Sequence, residues 1–224
     1  MDKRRFVLLL SKTYKYSFKM IKSISYNQEE IIKWILQLHC LTDIELDATY
    51  SKGNFYKGVK KPKYKFDICP QTSDTIKGDC RNLPIESESL NTIMFDPPFL
   101  ATTGPSLKKE SGNIINKRFG VYNSEKELHQ FYISSLKEFY RLLKEKGVLI
   151  FKCQDKVSSG IQYISHNFII NEAEKIGFYC KDLFILLAKN RIVADWQIKN
   201  QKNARKFHSY FIVFQKTNRK VNYI

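Results

Sequence analysis

The chain contains no CxxC pair. Its five cysteines, Cys40, Cys69, Cys80, Cys153 and Cys180, are widely spaced. A zinc ribbon and a thioredoxin-type redox site both need paired cysteines, so neither is expected. The five read as reduced, mostly buried thiols of a cytosol-like compartment. Long hydrophobic runs are also missing. The longest early one, Phe6 to Leu10, is far below the roughly 18 residues of a transmembrane helix. No small-residue cleavage site follows it, which argues against a signal peptide. Glycine is scarce, at nine residues, and no repeat or low-complexity linker divides the chain. No Walker loop or Ser–His–Asp order appears. His39, His129, His166 and His208 have no metal-ligand spacing, so no metal is expected.

Acids are in short supply as well. Lys and Arg number 38 against 22 Asp and Glu, a net charge of +16 over 224 residues. That balance favours a polyanion, with nucleic acid ahead of an anionic membrane surface. Apolar residues at 43% and aromatics at 14% fit one globular domain. The basic charge is clustered. Residues 52–65 hold Lys52, Lys57, Lys60, Lys61, Lys63 and Lys65 with no acid, and Lys189 to Lys220 carry nine cations and one acid. Residues 1–27 read as a basic N-terminal arm, with an organelle transit peptide as the alternative. Residues 217–224 read as a C-terminal tail. Cytoplasmic residence, nucleoid-associated or phage-encoded, is expected.

Between these ends, helix and strand patterns alternate. Gln28 to Leu38 has the apolar spacing of an amphipathic helix, and Ile44 to Leu46 and Tyr64 to Ile68 suit short strands. Thr92 to Phe95 reads as a buried strand ending at Asp96. Glu125 to Leu143 is a helix with a capping start at Asn123-Ser124, and Gly147 is expected to break the chain before a strand over Val148 to Phe151. A helix over Phe168 to Ile176 should stop at Gly177. Phe178 to Ala188 and Ser209 to Gln215 could pair as a late antiparallel hairpin. Strands separated by helices predict an α/β fold with a mostly parallel sheet covered on both faces.

The chemistry concentrates in Asp96-Pro97-Pro98-Phe99. Two prolines end the strand and fix an extended backbone with outward carbonyls. A carboxylate, a carbonyl and an aromatic ring are thus held at the carboxyl end of a parallel strand, where open α/β sheets bind ligands. An exocyclic amino group can donate one hydrogen bond to Asp96 and another to the Pro97 carbonyl while Phe99 stacks on the base. The nitrogen so held can attack an electrophilic methyl group in line. A rigid turn after a strand is the plain structural alternative.

Asp96-Pro97-Pro98-Phe99 resembles the catalytic motif of S-adenosylmethionine-dependent amino-methyltransferases, particularly the DNA N6-adenine enzymes. Gly78-Asp79-Cys80-Arg81-Asn82-Leu83-Pro84 is similar to that family's segment beside the cofactor adenine. Tyr140 to Gly147 followed by Val148 to Phe151 resembles its helix-to-strand junction. Asp47 to Tyr56, Phe151 to Asp155 with Ser158 to Gly160, and Arg205 to Phe211 resemble small phage-type and bacterial enzymes more narrowly. The resemblance spans residues 28–216. It implies a class I, Rossmann-like fold with a late antiparallel strand, S-adenosylmethionine as cofactor, and methylation of adenine N6 in DNA after base flipping.

It further implies Asp47, Thr49 and Gly53 at the cofactor's methionine part, Asp67 at its ribose, and Asp79 and Cys80 near its adenine. A surface-turn acid is the alternative for Asp67. The family's first motif normally has two glycines, and here Gly53 stands alone. The chain has no room for a separate target-recognition domain. Residues 100–123, with Lys108, Lys109, Lys117 and Arg118, are the expected mobile substrate loop. Residues 190–208 are the expected basic hairpin insert, with Arg191, Lys202, Arg205 and Lys206 facing nucleic acid. Lys152 and Gln154 could shape the substrate cleft. Three rivals stand beside this reading. RNA could be the substrate, or protein lysine, or the chain could be a non-catalytic nucleic-acid-binding subunit. A protein partner or homodimer is compatible with each.

Overall fold

The computed structural model describes residues 20–99, 101, 122–158, 160–190, 199 and 201–219. Ten strands, three α-helices and a 3-10 turn over Asn54–Tyr56 are present among them. In chain order they are β1 (Ile24–Ser25), α1 (Gln28–His39), β2 (Leu46–Asp47), β3 (Tyr64–Asp67), β4 (Ile76–Lys77), β5 (Leu90–Phe95), α2 (Glu125–Leu142), β6 (Leu143–Cys153), β7 (Lys156–Ser158), β8 (Ile161–Tyr163), α3 (Ser165–Ile176), β9 (Phe178–Leu187) and β10 (His208–Lys216). Eight strands form one sheet in the order β1-β9-β10-β6-β5-β2-β3-β4. All neighbours are parallel except β10, which runs antiparallel to both β6 and β9. The expected mostly parallel sheet with a late antiparallel strand is therefore present.

The central strands are apolar on both faces, and alternation sends successive residues to opposite cores. Ile93, Phe95, Leu149 and Phe151 pack with Leu128, Leu136 and Phe139 of α2 and Ile169 and Ala173 of α3. Met94, Val148 and Ile150 face the other way, onto Ile31, Ile32 and Ile35 of α1. These side chains are fully or almost fully buried. Each is worth about 1.5–3 kcal/mol of transfer free energy, so two covered faces hold the sheet rigid. Caps fix the helix starts. The Asn27 side chain accepts from Glu29 N at 2.9 Å, and Ser124 Oγ accepts from Glu127 N at 3.1 Å.

Four departures from the sequence pattern have physical causes. Ile24–Ser25 pairs with Ile185–Leu186 of β9, so the sheet begins inside the segment expected as an arm. Gly147 does not break the chain. β6 runs directly out of α2, and Lys146 at φ 65° absorbs a bulge between the pairs Leu90–Leu143 and Thr92–Val148. α3 starts three residues earlier than its apolar pattern, because Asp155 accepts from His166 N at 3.2 Å and caps the helix from outside. The small β7–β8 hairpin has no apolar alternation to announce it. No helix among the described residues is long and apolar enough to cross a membrane.

Candidate active site

β2 sits between β5 and β3, so the chain leaves it toward one side of the sheet and later returns on the other. That is a topological switch point, where a crevice opens beyond the strand ends. A cavity of about 490 Å³ lies there, lined by Thr49, Asp67, Ile68, Asp79, Cys80, Asp96, Pro98 and Phe131 among others. The volume is within the range of small-molecule and cofactor sites, roughly 300–1,000 Å³.

Asp67 is buried at the end of β3. Its oxygens accept from Ser51 N and Cys69 N, both at 2.8 Å. Those bonds fix a carboxylate on the cavity wall, where it can still accept from hydroxyls. Asp79 also lines the cavity, but its carboxylate is clamped by the Arg81 side chain and backbone N–H. That hydrogen bonding holds the Asp79 carboxyl below its ordinary range. Cys80 turns its sulfur inward, 3.4 Å from Ser135 Oγ, and burial pushes its thiol up to about 12. Ile68, half exposed, and Phe131 supply apolar walls suited to a flat ring.

Asp47 and Gly53 do not line this cavity. Asp47 is buried behind the loop. It accepts from Tyr56 OH at 2.7 Å and Thr49 N at 2.8 Å. Burial raises its carboxyl to about 7, against the pull of those two bonds. Gly53 takes φ 67°, and a Cβ there would strike the Tyr50 ring. The Tyr50 and Tyr56 rings stack at 5.6 Å. The single glycine therefore shapes a tyrosine-packed first loop. Asp47 and Gly53 organise that loop. Thr49 links this loop to the next motif. Its Oγ1 accepts from Asp96 N at 2.9 Å and lies 3.4 Å from Asp47 Oδ1.

Asp96 follows β5 directly. Its side chain is about 24% exposed, and Oδ1 is buried without a hydrogen-bond partner. An orphaned carboxylate oxygen at a cavity wall is an acceptor awaiting a donor. Burial raises the Asp96 carboxyl, and the Lys152 ammonium, 3.6 Å from Oδ2, partly offsets this. The Pro-Pro turn is pinned downstream. Tyr132 OH donates to the Pro98 carbonyl at 2.6 Å, and Lys156 Nζ donates to the Phe99 carbonyl at 2.5 Å. Lys156 is itself buried and pairs with Glu125 at 2.7 Å.

Phe99 faces a second cavity of about 470 Å³, whose walls include Gln28, Lys152, Gln154, Asn190 and His208. Gln154 donates to the His208 carbonyl at 2.6 Å, tying the end of β6 to the start of β10. The two cavities flank the Asp96–Phe99 turn. The hairpin insert closes at Ala188 N, which donates to the Phe207 carbonyl at 2.8 Å. Lys202 and Arg205 beyond it are exposed and Lys206 is half-buried. Lys108, Lys109, Lys117, Arg118 and Arg191 lie outside the described residues. Tyr132, Lys156, Glu125 and Phe131 were not evident from the sequence. The spacing of Lys152 and Lys156 along one strand-to-hairpin run was the available signal.

A DNA methylase family model of the N6/N4 methyltransferase type matches residues 90–224, more than half of the chain and all of the Asp96–Phe99 turn. The chain belongs to the DNA methylase family. No curated protein matches it. Solved structures similar to this chain include a candidate DNA modification methylase from Thermus thermophilus. It is 16% identical, with 71% of this chain and 56% of that one covered and a TM-score of 0.44. The cytosine-N4-specific PvuII DNA methyltransferase is 20% identical, with 63% and 48% covered and a TM-score of 0.46. The chain thus spans about half the length of these two proteins. An S-adenosylmethionine-dependent methyltransferase from Thermotoga maritima is 14% identical, with 82% and 86% covered and a TM-score of 0.50. That likeness shows the fold, the class I methyltransferase sheet.

Proposed function

We propose that this methylase transfers a methyl group from S-adenosylmethionine to an exocyclic amino group in DNA, and that the group is N6 of adenine. The observation that carries the reading is the buried, partnerless Oδ1 of Asp96, a residue of the first cavity's wall, three residues before Phe99 on the wall of the second. The first cavity fits the cofactor. Asp67 offers a fixed carboxylate to ribose hydroxyls, and Ile68 and Phe131 offer apolar surface to the adenine. When bound, the cofactor supplies a methyl group made electrophilic by a sulfonium.

The chain's own residues do the rest. The second cavity, with Phe99 on its wall, takes the base once it leaves the stack. Asp96 Oδ1 accepts one amino hydrogen. The Pro97 carbonyl, which has no N–H of its own residue to pair beside it, is the second acceptor in this reading. Two acceptors orient the nitrogen lone pair toward the cofactor side, and orientation of this kind supplies much of the rate. After transfer the nitrogen carries one proton too many, and Asp96 is the adjacent base to receive it. The net charge of +16 suits the DNA backbone.

The test is incubation with labelled cofactor and DNA or RNA oligonucleotides, followed by identification of the modified nucleoside. N6-methyladenine from DNA supports the proposal. N4-methylcytosine keeps the reaction and changes the base. Label in RNA alone changes the polymer. Label in neither, from folded protein, refutes the enzymatic reading.

A further inference from the structure

Lys152 emerges from β6 into an unusual setting. Its Nζ is 4.7 Å from the centre of the Phe55 ring, 5.7 Å from Phe211 and 5.8 Å from Phe99. It donates to Gln28 Oε1 at 3.2 Å and stands 3.6 Å from Asp96 Oδ2. Only 13% of the side chain is exposed. An ammonium ringed by aromatic faces is held by the ring quadrupoles. A lysine reaching for phosphate would instead extend its head into water.

We propose that Lys152 is a positioning residue for amino-group methylation, its caged ammonium fixing Oδ2 of Asp96 so that Oδ1 alone is turned to the target amino group. The inference rests on the methylation reading above. The two carboxylate oxygens have different surroundings, one facing a cation and the other partnerless. Without the cation, the side chain could rotate and present either oxygen, and the two-acceptor geometry would blur. The cage also links this function to substrate. Phe99 is one wall of the cage and lies on the base cavity, so the ring that stacks on the base helps hold the cation.

Lys152 also bears on charge. The titratable groups interacting with Asp96 are Asp47 from β2, Tyr56 from the turn after it, Tyr132 from α2, and Lys152 and Cys153 from β6. Among them only Lys152 is a cation. Its removal therefore favours the protonated acid, which cannot accept through both oxygens. Activity that needs the carboxylate would then be lost at a higher pH as pH falls.

The experiment compares wild type with Lys152→Met and Lys152→Arg. Three quantities are followed: methyl transfer to DNA across pH, cofactor affinity, and the Asp96 carboxyl titration by carbon NMR. Lys152→Met is expected to lower kcat about a hundredfold at neutral pH. It should leave cofactor affinity within about twofold and move both the acidic limb of the profile and the Asp96 midpoint upward. Lys152→Arg should restore the midpoint and much of kcat. An unchanged midpoint and acidic limb, with loss confined to the KM for DNA, would overturn the proposal and make Lys152 a phosphate contact. If Lys152→Met does not fold, Lys152→Gln, which also removes the charge, takes its place, and an unchanged Asp96 midpoint in it overturns the proposal. A folded wild type that methylates no nucleic acid while the midpoint still shifts would sink the methylation reading. The ion pair would then be structural only.

Discussion

Asp47 occupies a place where a carboxylate is costly. It is buried, and its carboxyl is raised from 3.8 to about 7. A carboxyl raised on folding binds its proton more tightly in the folded state. Its contribution to stability is present at low pH and is lost as pH rises from the unfolded value through the folded one. Asp96, also raised, acts with the same sign. Tyr56→Phe removes the 2.7 Å bond to Asp47 Oδ2. The expected loss is about 1.5–3 kcal/mol in urea unfolding. It should be larger above pH 7 than in mild acid, where Asp47 is neutral. A loss equal at both ends would contradict the assignment. Thr49 makes a second residue-scale prediction. Thr49→Val strands the Asp96 N–H and frees the start of the catalytic turn. Methyl transfer should fall about a hundredfold, since displacements near 1 Å cost that much. The circular dichroism spectrum should be unchanged.

At the scale of elements, the β6–β7 run grips the Asp96–Phe99 turn twice. Lys152 meets the Asp96 side chain, and Lys156, four residues on, meets the Phe99 carbonyl. The partner of Lys156 is Glu125 at the start of α2, so the pair also joins helix to hairpin. Both side chains are nine-tenths or more buried. Breaking a buried pair by removing one partner costs about 3–5 kcal/mol. Lys156→Met should therefore show that loss by denaturant unfolding. Adding Glu125→Leu should recover part of it, and two fully additive losses would refute a coupled pair. This feature was hidden in the sequence. Glu125 there is one more acid in a first helical turn, and Lys156 one more lysine in a basic chain. Neither residue type signals burial. The Asp96–Phe99 turn was legible because two adjacent prolines after an apolar run permit few backbones. Asp67, Thr49 and Asp79, read from their positions after strands, line the first cavity. The surroundings of Asp47 and Gly53 were not legible, because the first loop folds around two tyrosines that no glycine pattern announces. β1, β4 and the β7–β8 hairpin escaped detection for another reason. Two- and three-residue strands owe their existence to partners distant in sequence, not to local periodicity.

At the scale of the molecule, two covered sheet faces leave one edge for chemistry, and the chain carries a net charge of +16. Lys52, Lys57, Lys60, Lys61 and Lys63 in the β2–β3 connection are exposed, as is Lys202 in the insert. DNA binding should weaken linearly in log affinity against log salt, by about 0.9 per phosphate contact. Lys60→Ala with Lys61→Ala should reduce that slope without changing the modified base. An affinity independent of salt would contradict a phosphate-tracking surface. The central claim is narrower, that Asp96 holds the amino group that receives the methyl. The most direct measurement is transfer of labelled methyl to DNA by wild type and by Asp96→Ala, with cofactor affinity measured on both. The account predicts incorporation by wild type and none by Asp96→Ala, with cofactor binding preserved. Incorporation that survives the loss of the Asp96 carboxylate would contradict it.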